Sequence, residues 1–78
     1  PVIGDDVTLL GNNAHHGTGD GIRVEIDVHA DLIRNIANHN GGTGIVNSGL
    51  GSCPTALKDP LRNKAKFNTV SEFAGNCS

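Results

Sequence analysis

The chain has no tryptophan, tyrosine or methionine, and only two phenylalanines in 78 residues. Large aromatics normally dominate core energetics, so any interior must be filled by Ile, Val, Leu and Ala. Eleven glycines and the lack of Ala-, Leu- and Lys-rich runs disfavour a helical bundle. No apolar stretch approaches the ~20 residues that span a bilayer. Strong charge of one sign is also missing, with a net of −2. Residues 1–57 set Arg23 and Arg34 against Asp5, Asp6, Asp20, Glu25, Asp27 and Asp31, a net of −4, while residues 58–78 set Lys58, Arg62, Lys64 and Lys66 against Asp59 and Glu72, a net of +2. General attraction to nucleic acid is therefore not expected. The basic cluster reads as a solvated surface, with a phosphate or polyanion site as its alternative.

No signal-peptide pattern is present, and the chain opens at Pro1 without a methionine, so it reads as a processed or excised piece. Cys53 and Cys77 are the only cysteines, too few for a zinc site of thiolates and too far apart for a redox pair. A bond between them closes a loop of about 24 residues and contributes around 3 kcal/mol in the chain-entropy model. A domain this small buries roughly 60% of its unfolded surface, which favours the disulfide over two free thiols. The triplet Asn76-Cys77-Ser78 matches a glycosylation acceptor, a pattern that also arises by chance.

What the chain does have is an internal repeat. Sliding it by 23 positions aligns Ile3/Ile26, Leu9/Leu32, Asn12/Asn35, Ala14/Ala37, His16/His39, Gly19/Gly42, Gly21/Gly44 and Ile22/Ile45. A period in this range marks a solenoid. Asp6-Val7-Thr8-Leu9 and Ile26 to Leu32 alternate apolar and polar residues as half-buried strands do. Gly21 to Val24 and Gly44 to Val46 supply a second short strand per copy. The Asn- and Gly-rich stretches between them suit turns, since both residue types accept positive φ. Stacking the copies about 4.8 Å apart places Ile3 over Ile26, Leu10 over Ile33, Ala14 over Ala37 and Ile22 over Ile45 as inward columns. Asn12 over Asn35 is expected to form an amide ladder that satisfies buried polar groups in a bend.

The run Leu32-Ile33-Arg34-Asn35-Ile36-Ala37-Asn38-His39-Asn40-Gly41-Gly42-Thr43-Gly44-Ile45, with its weaker copy Leu9 to Ile22, resembles the repeat of the right-handed parallel β-helix proteins of the pectate-lyase-like superfamily. The resemblance covers residues 3–48 and implies an all-β parallel β-helix, an extracellular or cell-surface setting and, in many members, affinity for polysaccharide. It names no activity, because the fold carries many.

The expected layout is one domain over 1–78: coil 1 at 3–25, coil 2 at 26–48, an inserted loop at 49–65, and an irregular third coil or cap at 66–78. Pro60 to Phe67 suits two turns of helix, with Asp59 as N-cap and Pro60 at the first helical position. Val70, Glu72 and Ala74 match Ile33, Asn35 and Ala37 at an offset of 37.

Gly4-Asp5-Asp6 resembles the paired aspartates of polygalacturonases, which serve as general acid and base. The Gly-His-Gly and Arg-Ile-Lys elements that accompany that pair are absent, so turn chemistry is the simpler reading, and no catalytic residue is assigned. Asp5, Asp6, Asp27 and Asp31 approach across coils as a candidate calcium site; no other cofactor is expected. His15, His16, His29 and His39 suggest a metal, but two ligands on exposed turns make a poor site, and an outward histidine ladder is simpler. Ice binding would need threonine columns, and Thr18 aligns with Gly41. The function expected is a non-catalytic extracellular structural or glycan-binding module with polysaccharide as partner. The rivals are a fragment or subunit of a polysaccharide lyase or hydrolase, and a protein-binding effector or inhibitor. Open strand edges at the end formed by coil 1 predict a homo-oligomer, a dimer before other sizes.

Overall fold

The computed structural model describes residues 6–77, Asp6 by its backbone alone, and its described residues form eight strands and no helix. These are β1 (Asp6–Leu10), β2 (Asn13–His15), β3 (Ile22–Val24), β4 (His29–Ile33), β5 (Ile36–Asn38), β6 (Thr43–Asn47), β7 (Lys64–Lys66) and β8 (Ser71–Gly75). All pairing between them is parallel, in three sheets ordered β1-β4, β2-β5-β7 and β3-β6-β8. The chain visits the first, second and third sheets in turn, repeats that order, and then revisits the second and third.

The register sets the interior. Leu9 pairs with Leu32 in the first sheet, Ala14 with Ala37 and Ala65 in the second, and Ile22 with Ile45 and Phe73 in the third. Leu32, Ala37 and Ile45 are fully buried, joined by Val24, Ala30 and both cysteines, with Leu9, Ile22, Ala65 and Phe73 packed against them. Burying a Leu or Ile side chain is worth roughly 1.5–3 kcal/mol, and these columns supply it without large aromatics.

Alternation corrects two of the expected columns. Leu10 does pair with Ile33, but Leu10 is 62% exposed. Successive strand side chains point to opposite faces, so once Leu9 and Leu32 turn inward, Leu10 and Ile33 must turn outward. Ile26, expected inside beneath Ile3, is 72% exposed; Ile3 lies outside the described residues.

The third pass also departs from expectation. Residues after Gly49 first continue the first sheet: Leu50 N–H donates to Val28 O at 2.8 Å, while Ala30 and Leu32 N–H donate to Leu50 and Ser52 O at 3.0 and 2.9 Å. Gly51 sits there at φ +103°, and a Cβ would collide with the Ala30 carbonyl oxygen. The expected helix from Pro60 is not formed. Asp59 Oδ1 accepts the Leu61 N–H at 2.9 Å and Asp59 O accepts Arg62 N–H at 3.1 Å, which makes a single turn. Lys64 to Lys66 then bond to β5 as a strand, because its unpaired edge satisfies their backbone better than a short exposed helix would. The register therefore steps from 23 to 28 residues, not to an offset of 37: Ala65, not Ala74, covers Ala37, and Ala74 covers Val46.

Cys53 and Cys77 are bonded, with Cα atoms 4.8 Å apart. The bond ties the start of the 53–63 excursion to the end of the third pass.

Candidate binding face of the second sheet

The second sheet is framed at both ends by stacked amides. Before it, Asn12 donates to Asn35 Oδ1 from its backbone N–H and its Nδ2 at 2.9 and 3.0 Å. Asn35 repeats both bonds to Asn63 Oδ1 at 2.9 and 2.9 Å. Spare amide hydrogens close on carbonyls inside the bend, Asn35 on Leu9 O at 2.8 Å and Asn63 on Leu32 O and Pro54 O at 2.9 and 3.0 Å. After the sheet runs a second ladder. Gly17 N–H donates to Asn40 Oδ1 at 3.1 Å, and Asn40 donates twice to Asn68 Oδ1 at 3.0 Å. Asn68 in turn donates from Nδ2 to Ala37 O and Glu72 Oε1 at 2.9 and 2.7 Å. Buried amides with full hydrogen bonding fix a bend in one geometry.

Every ladder residue except Asn63 follows a residue in the left-handed region. Gly11 and Arg34 (φ 67° and 54°) precede Asn12 and Asn35, while His16, His39 and Phe67 (φ 59°, 58° and 59°) precede Gly17, Asn40 and Asn68. A non-glycine residue there costs of order 1–2 kcal/mol. The second corner bears that cost three times, and its side chains project as a column. The His16 and His39 rings stack at 5.3 Å and 7°, and the His39 and Phe67 rings at 5.0 Å and 16°. His15 stands edge-on to His16, with their Nδ1 atoms 2.8 Å apart.

Between the corners the outer face carries two rows, Asn13–Ile36–Lys64 and His15–Asn38–Lys66. Asn38 Oδ1 accepts the Lys66 N–H at 2.9 Å. Beside the first corner, the excursion 53–63 walls a groove of about 440 Å³ that gathers Arg34, Lys58, Arg62 and Lys64 with one carboxylate, Asp59, over Ile36 and Leu57. Arg34 Nε donates to Pro60 O at 3.1 Å. Among the described residues both ion pairs belong to Arg23, with Asp20 and Glu25, so the groove cations have no ion-pair partner.

Comparison with protein-family models, with curated proteins and with solved structures found no match.

The other sequence candidates are scattered. Asp5 lies outside the described residues, and Asp6 opens β1 opposite His29. Asp31 Oδ1 accepts the N–H and Oγ–H of Ser52 at 3.1 and 3.2 Å. Among the described residues, no three His, Cys, Asp or Glu side chains form a group able to hold a metal ion. Asn76 donates to Gly49 and Gly51 O at 3.2 and 3.4 Å; Ser78 lies outside the described residues. No helix among the described residues is long and apolar enough to cross a membrane.

Asp20 links the first pass to the second at the third sheet. The Thr43 N–H, 2.7 Å from Oδ1, and then Arg23, hold its carboxyl below the usual carboxylate range. A second hollow, about 350 Å³, is lined by first-pass residues, among them Leu9, Ala14 and Ile22.

Proposed function

We propose that this chain is a right-handed parallel β-helix of three coils that acts outside the cell as a non-catalytic module, binding polysaccharide across the outer face of its second sheet. The fixed order in which the chain visits three parallel sheets supports the coil, and the Cys53–Cys77 bond is compatible with an oxidising compartment. The observation that carries the binding reading is the His16–His39–Phe67 stack, held out at three strained corner positions. Within the column both faces of His39 are covered by His16 and Phe67, which leaves the outer face of Phe67 for the C–H face of a sugar ring, and Lys66 stands beside it to bond hydroxyls or carboxylates. Two amide ladders keep the platform rigid, which lowers the entropy lost on binding. Titrating acidic and neutral polysaccharides against the chain and its Phe67→Ala variant tests this. Saturable binding weakened by Phe67→Ala is expected; no saturable binding, or equal binding by the variant, removes the reading.

The first-pass hollow favours a second property, self-association. Among the described residues, β1, β2 and β3 have strand neighbours on one side only, as β7 and β8 do at the other end, but the hollow lies at the first-pass end, on apolar Leu9, Ala14 and Ile22. At the other end the amides of Asn63, Asn68 and Asn76 are closed by Pro54 O, Glu72, and Gly49 and Gly51 O. Association through first-pass faces, giving a closed dimer, follows from that asymmetry.

A further inference from the structure

We infer that the groove between Arg34 and the 53–63 excursion is a separate binding site for a phosphate monoester on a sugar-sized ligand. This goes beyond the polysaccharide reading and stands without it.

The first ground is charge. Four cations and one carboxylate share about 440 Å³, and Asp59 is occupied by the Leu61 N–H. A single carboxylate would neutralise one of the three excess charges, whereas a phosphate monoester brings nearly two negative charges at neutral pH and three acceptor oxygens. Guanidinium forks match those oxygens in pairs.

The second ground is strain at a bend that does not itself require arginine. Arg34 and Gly11 hold equivalent corners at φ 54° and 67°, so the bend is made by glycine in the first pass and needs no arginine. Strain retained at one residue points to its side chain. Arg34 Nε is fixed on Pro60 O, which leaves the terminal nitrogens for a ligand.

The third ground is preorganisation. The wall bearing Lys58 and Arg62 is held against Arg34 by the Arg34 N–H to Leu61 O bond at 3.1 Å, the Asp59 turn, Asn63 in its ladder and Cys53 in its disulfide. The volume falls in the range of small-ligand sites, and Ile36 and Leu57 supply apolar surface for a sugar ring.

The test is an amide-shift titration with glucose 6-phosphate, inorganic phosphate, inorganic sulfate and glucuronate at matched ionic strength. Glucose 6-phosphate and phosphate are expected to shift Arg34, Leu57, Lys58 and Arg62 saturably, and to bind about five-fold or more tighter than glucuronate, with the sulfate dianion between them. Arg34→Gly suits the backbone at that corner, so it should fold at least as well as the parent while losing about five-fold or more in phosphate affinity. Arg62→Ala should lose a similar factor, and Lys66→Ala and Phe67→Ala little. Equal weak binding of all four anions, or phosphate binding indifferent to both arginine variants, overturns the assignment. Phosphate binding that survives Phe67→Ala while polysaccharide binding does not separates the two sites; phosphate binding with no polysaccharide binding removes the polysaccharide reading alone.

Discussion

Asn68 donates to Glu72 Oε1 twice, from its backbone N–H at 3.2 Å and from its side-chain amide at 2.7 Å. Glu72 thus stands where the next asparagine of the ladder would be, and a local carboxylate ends the series. Glu72→Ala should cost on the order of 1–3 kcal/mol by leaving those donors without an acceptor, whereas Glu72→Gln keeps a carbonyl oxygen and should cost less than half as much. Denaturant unfolding of both variants decides it, and equal losses would mean that packing rather than acceptor chemistry matters here. Asn35→Ala, in the middle of the other ladder, should cost at least as much as Glu72→Ala, and Asn13→Ala on the exposed row less than ~0.5 kcal/mol.

Much of this was legible in the sequence, and the rest was hidden for identifiable reasons. Asn12 and Asn35 are identical at the repeat spacing, so their ladder could be expected. Asn40 and Asn68 could not, because Gly17 occupies the first position of that series and contributes only its backbone N–H. Leu9 and Leu10 are both apolar, so alternation alone does not say which faces in; burial of Leu32 decides it. Asp59 and Pro60 carry true helix-start chemistry, but the same Asp59 oxygens serve a single turn. The third pass does not follow the sequence register because the excursion changes the spacing from 23 to 28. Arg34 stands apart in sequence from Lys58, Arg62 and Lys64, and only the parallel pairing of β7 on β5 brings it to their groove.

Asp20 predicts an acid-sensitive joint. Its folded-state pKa is lowered, chiefly by the Thr43 N–H and next by Arg23, so its contribution is complete above the unfolded value of about 3.9 and is lost as pH falls through the lower folded value. Stability measured from pH 7 down to 2 should therefore fall less steeply below about pH 4 in Asp20→Asn than in the parent. Parallel curves would remove Asp20 as a source of the acid loss.

The disulfide should be worth about 3 kcal/mol. Cys53→Ala with Cys77→Ala, compared with the oxidised parent by denaturant unfolding, is expected to lose roughly that amount while keeping the amide shifts of the first two passes. Collapse of all shifts would mean that the bond holds the whole fold and not only its last pass.

Self-association through the first pass should appear as a concentration-dependent mass in sedimentation velocity. Leu9→Lys with Ile22→Lys would disturb the core, so Thr8→Pro on the β1 edge is the gentler probe, since proline removes a ladder donor. A parent dimer converted to monomer by Thr8→Pro agrees with the open-edge account; a parent that is monomeric at every concentration contradicts it.

The most direct measurement is the site of polysaccharide contact, mapped by amide shifts during titration with acidic oligosaccharides. Saturable shifts confined to His39, Asn38, Lys66 and Phe67, and abolished by Phe67→Ala, are what a binding face on the second sheet predicts. Shifts centred on the first or third sheet, or none at saturating oligosaccharide, would contradict it.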